Sequence, residues 1–288
     1  MLQLLINGVA IGCIYALVSC GFVLIYNAVG AVNFAQGELV MVGAFLGATA
    51  AVLLHWPPGP ALLVAVLGSA AVGTLFQRIA YYPVRNRPPI TFIVVSIGMG
   101  ILLRNSALVI WGPEPFAPPD LMGGRMVRLA DSVVPAHNLV IIAGTLLIYG
   151  VLSYFFARTR LGRRLECTAE DQDTARLMGI RVPAMIAVTF VLSAALAAVA
   201  GYLLAPVIFV SPEMGLHVIL KAFIAVVIGG FGSILGTLVG GIFLGIMELF
   251  TAAYVSSAYK DVFAFLVLLA LLIFLPQGLF GEKVAEKA

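Results

Sequence analysis

The side chains able to do chemistry in this chain are few and sharply placed. Ala157 to Pro183, ARTRLGRRLECTAEDQDTARLMGIRVP, holds six of the sixteen Lys and Arg residues and four of the thirteen Asp and Glu residues. Flanked by apolar runs, so charged a stretch must sit in water, and its arginine excess marks the cytoplasmic side of a membrane. Within it, Thr168 to Met178 can form about three helical turns. Thr168 is placed to act as N-cap, Glu170, Asp171 and Asp173 fall in the early turns, Arg176 in the last, and Gly179 stands where a C-cap glycine belongs. Ala169, Thr174, Ala175, Leu177 and Met178 leave a small apolar surface. Such a helix either inserts into a cleft on a soluble partner or serves as a solvated connector.

A second polar group interrupts NAVGAVNFAQGELVMVGAF, Asn27 to Phe45, through Asn27, Asn33, Gln36 and Glu38, with Gly30 and Gly37 bracketing the interruption. Polar side chains this close to hydrocarbon are costly unless they face protein or a water-filled cavity. The segment is therefore either a short turn or a re-entrant half-helix, and Glu38 is either functional or at the interface. Arg104, Lys221 and Glu248 are lone charges in apolar runs. Arg104 marks a pathway or an ion pair or, being seven residues from a helix end, snorkels to the headgroups, and the last reading is favoured. Glu38, Lys221 and Glu248 would bind substrate or protons at mid-membrane if the chain were a secondary carrier.

Enzymatic constellations are nearly absent. The sequence has no HExxH, no Cys or His cluster with metal spacing, no Walker glycine loop and no basic tract suited to nucleic acid. His55, His137 and His217 fall at outer segment ends, as scattered interfacial residues or a conceivable ligand trio. Ser233 in GFGS belongs to a small-residue packing run more than to a nucleophile. With no nucleotide site in its sequence, a transporter of this kind is driven by an ion gradient or by a partner. Cys13 and Cys20 lie in the first apolar run and Cys167 in the Arg-rich loop, which gives no disulfide framework.

The elements that must position these residues are transmembrane helices. Hydrophobic residues make up 62% of the chain and charged ones 10%, where a soluble domain carries about 25% charged residues. Several runs exceed the eighteen or so residues that cross a bilayer as helix. The fold class is all-α: one polytopic transmembrane domain spanning 1–288, of eight or nine hydrophobic segments, one of them a candidate re-entrant piece. Spans are expected at about Leu2–Tyr26 (a retained span, not a signal peptide), Leu39–Leu54, Ala61–Ala80, Ile90–Trp111, His137–Phe156, Ala184–Leu204, His217–Ile228, the glycine-rich run through Phe250, and Val262–Leu275, which stops at Pro276. Arg78, Arg85 and Arg87 put the loop after the third span on the same side as the Arg-rich loop. The Gly112–Ala136 loop, with Glu114, Asp120 and Asp131 against Arg125 and Arg128, fits the outer face, and the N-terminus is outside.

Small residues recur every four positions at Gly8, Gly12 and Ala16, at Gly232, Gly236 and Gly240, and at Gly241 and Gly245. Each series gives a helix a smooth stripe on which another backbone can approach closely, so the later helix should be packed tightly on two faces.

CTAEDQDTARLMGIRVPAMIAVTFVLSAALAAVAGYLLAP closely resembles the coupling region of the branched-chain amino acid permeases of bacterial ABC importers, of the LivH type. The likeness extends to NAVGAVNFAQGELVMVGAF, to LKAFIAVVIGGFGSILGTLVGGIFLGIMEL and to YKDVFAFLVLLALLIFLPQGLFG, blocks spread over most of the chain. One departure is Leu275, where the family commonly has Arg before the Pro of a terminal PxGL element. The resemblance implies a permease subunit in a bacterial cytoplasmic (inner) membrane, with the 157–183 loop and C-terminus cytoplasmic. It implies pairing with a second permease, LivM-like or another copy. Two cytoplasmic ATPase subunits would hydrolyse ATP, none being bound by this chain, and a periplasmic binding protein would deliver Leu, Ile or Val. It makes Glu170 to Gly179 the coupling helix. Similar permeases carry urea or short amides, so that cargo stays open.

Overall fold

The computed structural model describes residues 1–118, 120–129, 132–275 and 277–280. Asp131, the expected stop at Pro276 and the charged tail from 281 to 288 lie outside the described residues. The first helix, α1 (Leu2–Val29), is apolar on every side, the pattern of a helix wrapped by others. Its most apolar window is 89% buried, against 17% for α4 (Pro89–Trp111), so α1 is central and α4 peripheral. Around α1 stand α5 (Ala136–Arg158), α8 (Val182–Ile208), α9 (Met214–Gly229) and α10 (Ile234–Tyr254). A second layer consists of α2 (Gln36–Val52) and α3 (Pro58–Phe76) against α8, with α11 (Lys260–Phe274) against α9 and α10.

Among the described residues, six helices are long and apolar enough to cross a membrane, α1, α3, α4, α5, α8 and α10. The α3 span continues through a π-helical turn at Gln77–Tyr81 and a 3-10 turn at Tyr82–Val84. Apolar but shorter are α2, of 17 residues, and α9, of 16. The chain leaves α1 at Gly30, whose left-handed backbone (φ 72°) lets its N–H close on Tyr26 O. It then returns into the bundle and begins α2 at Gln36, three residues before the Leu39 start expected from hydropathy.

Contacts define two ends. At one, the loop after α4 meets the turn after α8 through reciprocal Phe116–Val210 backbone bonds of 2.8 Å. The hairpin of β1 (Met126–Leu129) and β2 (Ser132–Pro135) follows in that loop, and Met1 Sδ approaches Tyr254 Oη nearby. At the other, α1 and α9 finish, α8 and α10 begin, and α6 (Arg160–Glu170) and α7 (Gln172–Leu177) cross beneath them.

Small residues set the closest approaches. A Cβ added at Gly12 would fall 2.6 Å from Ile242 Cα and 2.7 Å from Gly241 O, and one at Gly241 would fall 2.6 Å from Ala16 N. The α1 and α10 stripes thus meet backbone to backbone, where van der Waals contact replaces the hydrophobic drive that lipid does not supply. On the other face of α10, Gly236 and Gly240 press against Gly229 and Ala225 of α9. Gly232 shapes a turn instead of a packing face. Its backbone, at φ 94°, presents its carbonyl to accept Asn27 Nδ2–H at 2.9 Å.

Candidate functional site

Two helices, not one, form the charged crossing segment, and this corrects the expected boundary at Thr168. Thr159 caps α6, its Oγ1 accepting the Gly162 N–H at 3.0 Å, while Thr168 lies inside α6 with its hydroxyl donating to Arg164 O. Glu170 ends α6. Asp171, in extended conformation, caps α7, its carboxylate accepting from the Asp173 N–H at 2.9 Å and the Thr174 hydroxyl at 2.6 Å. Asp as well as Thr can cap a helix, and Asp171 wins because its two oxygens take both donors. Gly179 follows α7 in left-handed conformation (φ 78°), its N–H on Arg176 O.

The segment is braced on one side and open on the other. Gly162, Leu165 and Thr168 of α6 are buried, and Ala175 of α7 is wholly so. Gln172 Nε2 donates to Ala28 O, so α7 is tied to the last turn of the central helix. Val182 begins α8 only five residues after α7 ends. Facing outward are Leu177, 89% exposed, Met178, and the Asp173–Arg176 pair at 2.7 Å, whose exposure makes it a weak contributor. Leu177 thus stands exposed beside these charges, on a segment joined to α1 through Gln172 and to α8 through the short link to Val182.

In the interior, the Asn33–Glu38 segment forms a buried polar seam. Asn33 Oδ1 accepts the Ala35 N–H at 3.1 Å, and Phe34 N–H donates to Ser96 Oγ at 3.1 Å. Gln36 Nε2 donates to Ser193 O at 3.3 Å, and Ser193 Oγ lies 2.7 Å from Gly21 O and 2.9 Å from Gln36 Oε1. Gly37 lies against Gly215 and Ile219, so the starts of the two short helices, α2 and α9, touch. Glu38 is buried and accepts from Arg104 Nη2 at 2.5 Å and Nε at 3.2 Å. Snorkelling is therefore not what Arg104 does: the nearby carboxylate offers a charge-assisted partner for two of its donors that a headgroup at a helix end cannot match. Glu38 is likewise a core residue and not an interfacial one.

The remaining charges gather on α9, α10 and α11. Buried Glu248 pairs with Lys221, accepts from Tyr15 Oη–H at 2.9 Å and lies 3.5 Å from Lys260 Nζ. Lys221 also lies 3.2 Å from Asp261. Glu38 and Lys221 thus belong to separate clusters, each with its own partners. The histidines do not assemble, since among the described residues no group of three metal-ligating side chains occurs. His137 instead bonds Leu203 O at 2.9 Å. Ser233 caps α10, its Oγ accepting the Gly236 N–H.

Sequence reasoning held an ion pair for Arg104 below snorkelling, and missed Asp261, Tyr15 and Gln172 as partners. Charges inside hydrocarbon pair with one another, so two acids and two bases in apolar runs signalled two pairs. Nothing in their spacing said which acid met which base.

The family model described as branched-chain amino acid transport system, permease component, matches residues 4–272. The chain is 37% identical to the high-affinity branched-chain amino acid transport system permease protein LivH of Escherichia coli (strain K12), over 99% of this chain and 97% of that one. It is 36% identical to the high-affinity branched-chain amino acid transport system permease protein BraD of Pseudomonas aeruginosa, over the same shares. The autoinducer 2 import system permease protein LsrC of Escherichia coli O9:H4 is 32% identical over 45% of this chain and 40% of its own. With helices running through the whole matched region and the likeness extending from end to end, this chain belongs to the family of branched-chain amino acid transport permease components.

Proposed function

We propose that the protein is the membrane-spanning permease subunit of an ATP-driven importer of Leu, Ile and Val in a bacterial cytoplasmic membrane. The observation that carries this reading is the near full-length likeness to LivH and BraD. The exposed, braced α7 adds to it. In this reading α6 and α7 lie in the cytoplasm, where two ATPase subunits seat on Glu170 to Gly179, hydrolyse the ATP and push on the segment. The push travels through Gln172 to α1 and through Val182 to α8, rocking the bundle between outward and inward access. A second permease, LivM-like or another copy, encloses the path with this one, and a periplasmic binding protein docks at the end where Phe116 meets Val210. The apolar helices α1–α5 and α8–α11 make up the membrane body. Of these, α2 and α9 begin within its thickness, where irregular backbone is tolerated because protein covers it.

Charge reversal tests the coupling surface. Glu170→Lys with Asp171→Lys should lower uptake and ATPase recruitment by about tenfold or more, because like charges facing each other across an interface cost several kcal/mol. Membrane insertion should be unchanged. Glu170→Lys alone leaves the α7 cap intact and should show the same direction of effect. Parent-like uptake and co-purification of the ATPases would contradict the assignment. Uptake that survives ATP depletion but stops with an ionophore would point instead to a secondary carrier.

A further inference from the structure

A small polar cleft lies between the foot of the α3 span, α7 and the start of α8. Gln77, Tyr81, Tyr82 and Arg85 border it on one side, Gln172 and Arg176 on the other. Its volume is about 40 Å³. At about 10–15 Å³ for one water, that is room for roughly three oxygen-sized groups. The oxygens of one phosphate group fit such a space, whereas a whole small molecule does not.

The polar groups here are all set for an anion. Among the described residues the charges lining the cleft are two arginines, and no acid lines it. Arg85 is held in place: its Nη1 donates to Tyr82 O at 2.9 Å and its guanidinium carbon stands 3.7 Å from the Tyr82 ring centre. That leaves its other N–H donors for a ligand. Arg176 meets Asp173 in an exposed pair that contributes little and likewise keeps donors. Gln77 is 5% exposed, lines the cleft, and its side-chain amide makes no hydrogen bond to a described residue. A buried amide without a protein partner at this place calls for an oxygen acceptor.

The surroundings decide where the phosphate comes from. Leu75, Ile79 and Tyr82, at four- and three-residue steps, are 53%, 57% and 46% exposed and lead along α3 to the cleft. Ile90 and Val94 of the peripheral α4 are exposed as well. An apolar flank at the end of a membrane span is where acyl chains lie, and a free phosphate ion would leave it unused. Two arginines also reject a headgroup that carries an ammonium.

We propose that this cleft binds the phosphate of an anionic phospholipid. Arg85 and Arg176 pair with the phosphate, as guanidinium forks do, Gln77 donates to it, and the acyl chains run along Leu75 and Ile79. The bound lipid thereby joins α3 to α7. Only the leaflet, the cytoplasmic one, rests on the importer reading above.

The test is saturable binding of radiolabelled phosphatidylglycerol to the whole transporter complex in neutral detergent micelles. Arg85→Gln should weaken binding by about tenfold or more, the loss expected for a charge-assisted hydrogen bond. Gln77→Leu keeps every charge and should weaken it comparably. Arg87→Gln removes the same charge from the same loop but lies off the cleft, and should bind as the parent does. Neither phosphatidylcholine nor inorganic phosphate should compete. Parent-like binding in Arg85→Gln or in Gln77→Leu overturns the site, and an equal loss in Arg87→Gln replaces it with a diffuse positive surface. Displacement by inorganic phosphate overturns the lipid in favour of a free anion. Loss of the ATPases from Arg85→Gln with lipid binding unchanged gives the cleft to the ATPase instead. Leucine uptake by the parent complex is a separate measurement, so each of these failures leaves the importer reading standing.

Discussion

Arg104→Ala is expected to destabilise the folded protein by about 3–5 kcal/mol, the range for stripping one partner from a buried ion pair. The loss comes from what stays behind: Glu38, 3% exposed, keeps its carboxylate among Ala35, Gly100 and Gly215 with no cation to meet it. The effect should exceed that of Glu38→Ala, since Arg104 is nearly a third exposed and finds other solvation once freed. Replacing both partners, as Glu38→Met with Arg104→Leu, should recover most of the loss, because an apolar pair of similar size carries no desolvation cost. Unfolding of the purified variants in detergent, read as a double-mutant cycle, measures this. Equal stability of Arg104→Ala and parent would show that the pair does not hold α4 to α2.

Gly12→Leu is expected to abolish the α1–α10 interface. The new Cβ would meet Ile242 Cα and Gly241 O at 2.6 and 2.7 Å, and both are backbone atoms of a helix that cannot move aside alone. Overpacking an ordinary core costs about 1–3 kcal/mol. Here two glycine-lined helices would have to separate along their length, so the loss should lie at or above that upper figure. Gly98→Leu on α4 is the control, since nothing lies within 4 Å of the added Cβ there. Recovery of monodisperse protein after detergent extraction should fall sharply for the first and stay at the parent level for the second.

Much of this fold is legible in the sequence because hydrocarbon is an unforgiving solvent. Long apolar runs such as those of α5 and α10 have few readings other than helices. The Gly8–Gly12–Ala16 and Gly241–Gly245 series announce close packing, although not that they meet each other. Three features are not legible. Distance from a helix end assigns Arg104 to the headgroups, whereas its partner lies 66 residues away on another helix. The α6–α7 break at Asp171 is hidden because Thr168 and Asp171 are both good caps, and what each side chain bonds depends on the tertiary path. Asp261 stands one residue before the last expected span and carries no sign of its partner, since its proximity to Lys221 follows from how α11 folds back on α9. Hydropathy reports the solvent around a segment, while pairing reports the neighbour, and a single chain's pattern carries the first far better than the second.

The coupling role requires α6 and α7 to lie on the cytoplasmic side of the membrane, and one cysteine reports where they are. Cys167 is partly exposed on α6, while Cys13 and Cys20 are buried in α1, so a membrane-impermeant maleimide should distinguish them without engineering. In intact cells with a permeabilised outer membrane, Cys167 should stay unmodified, and it should react in inside-out vesicles of the same membrane. Modification of Cys167 from the outside would place the charged segment where no ATP-hydrolysing partner can reach it, and would contradict the coupling role.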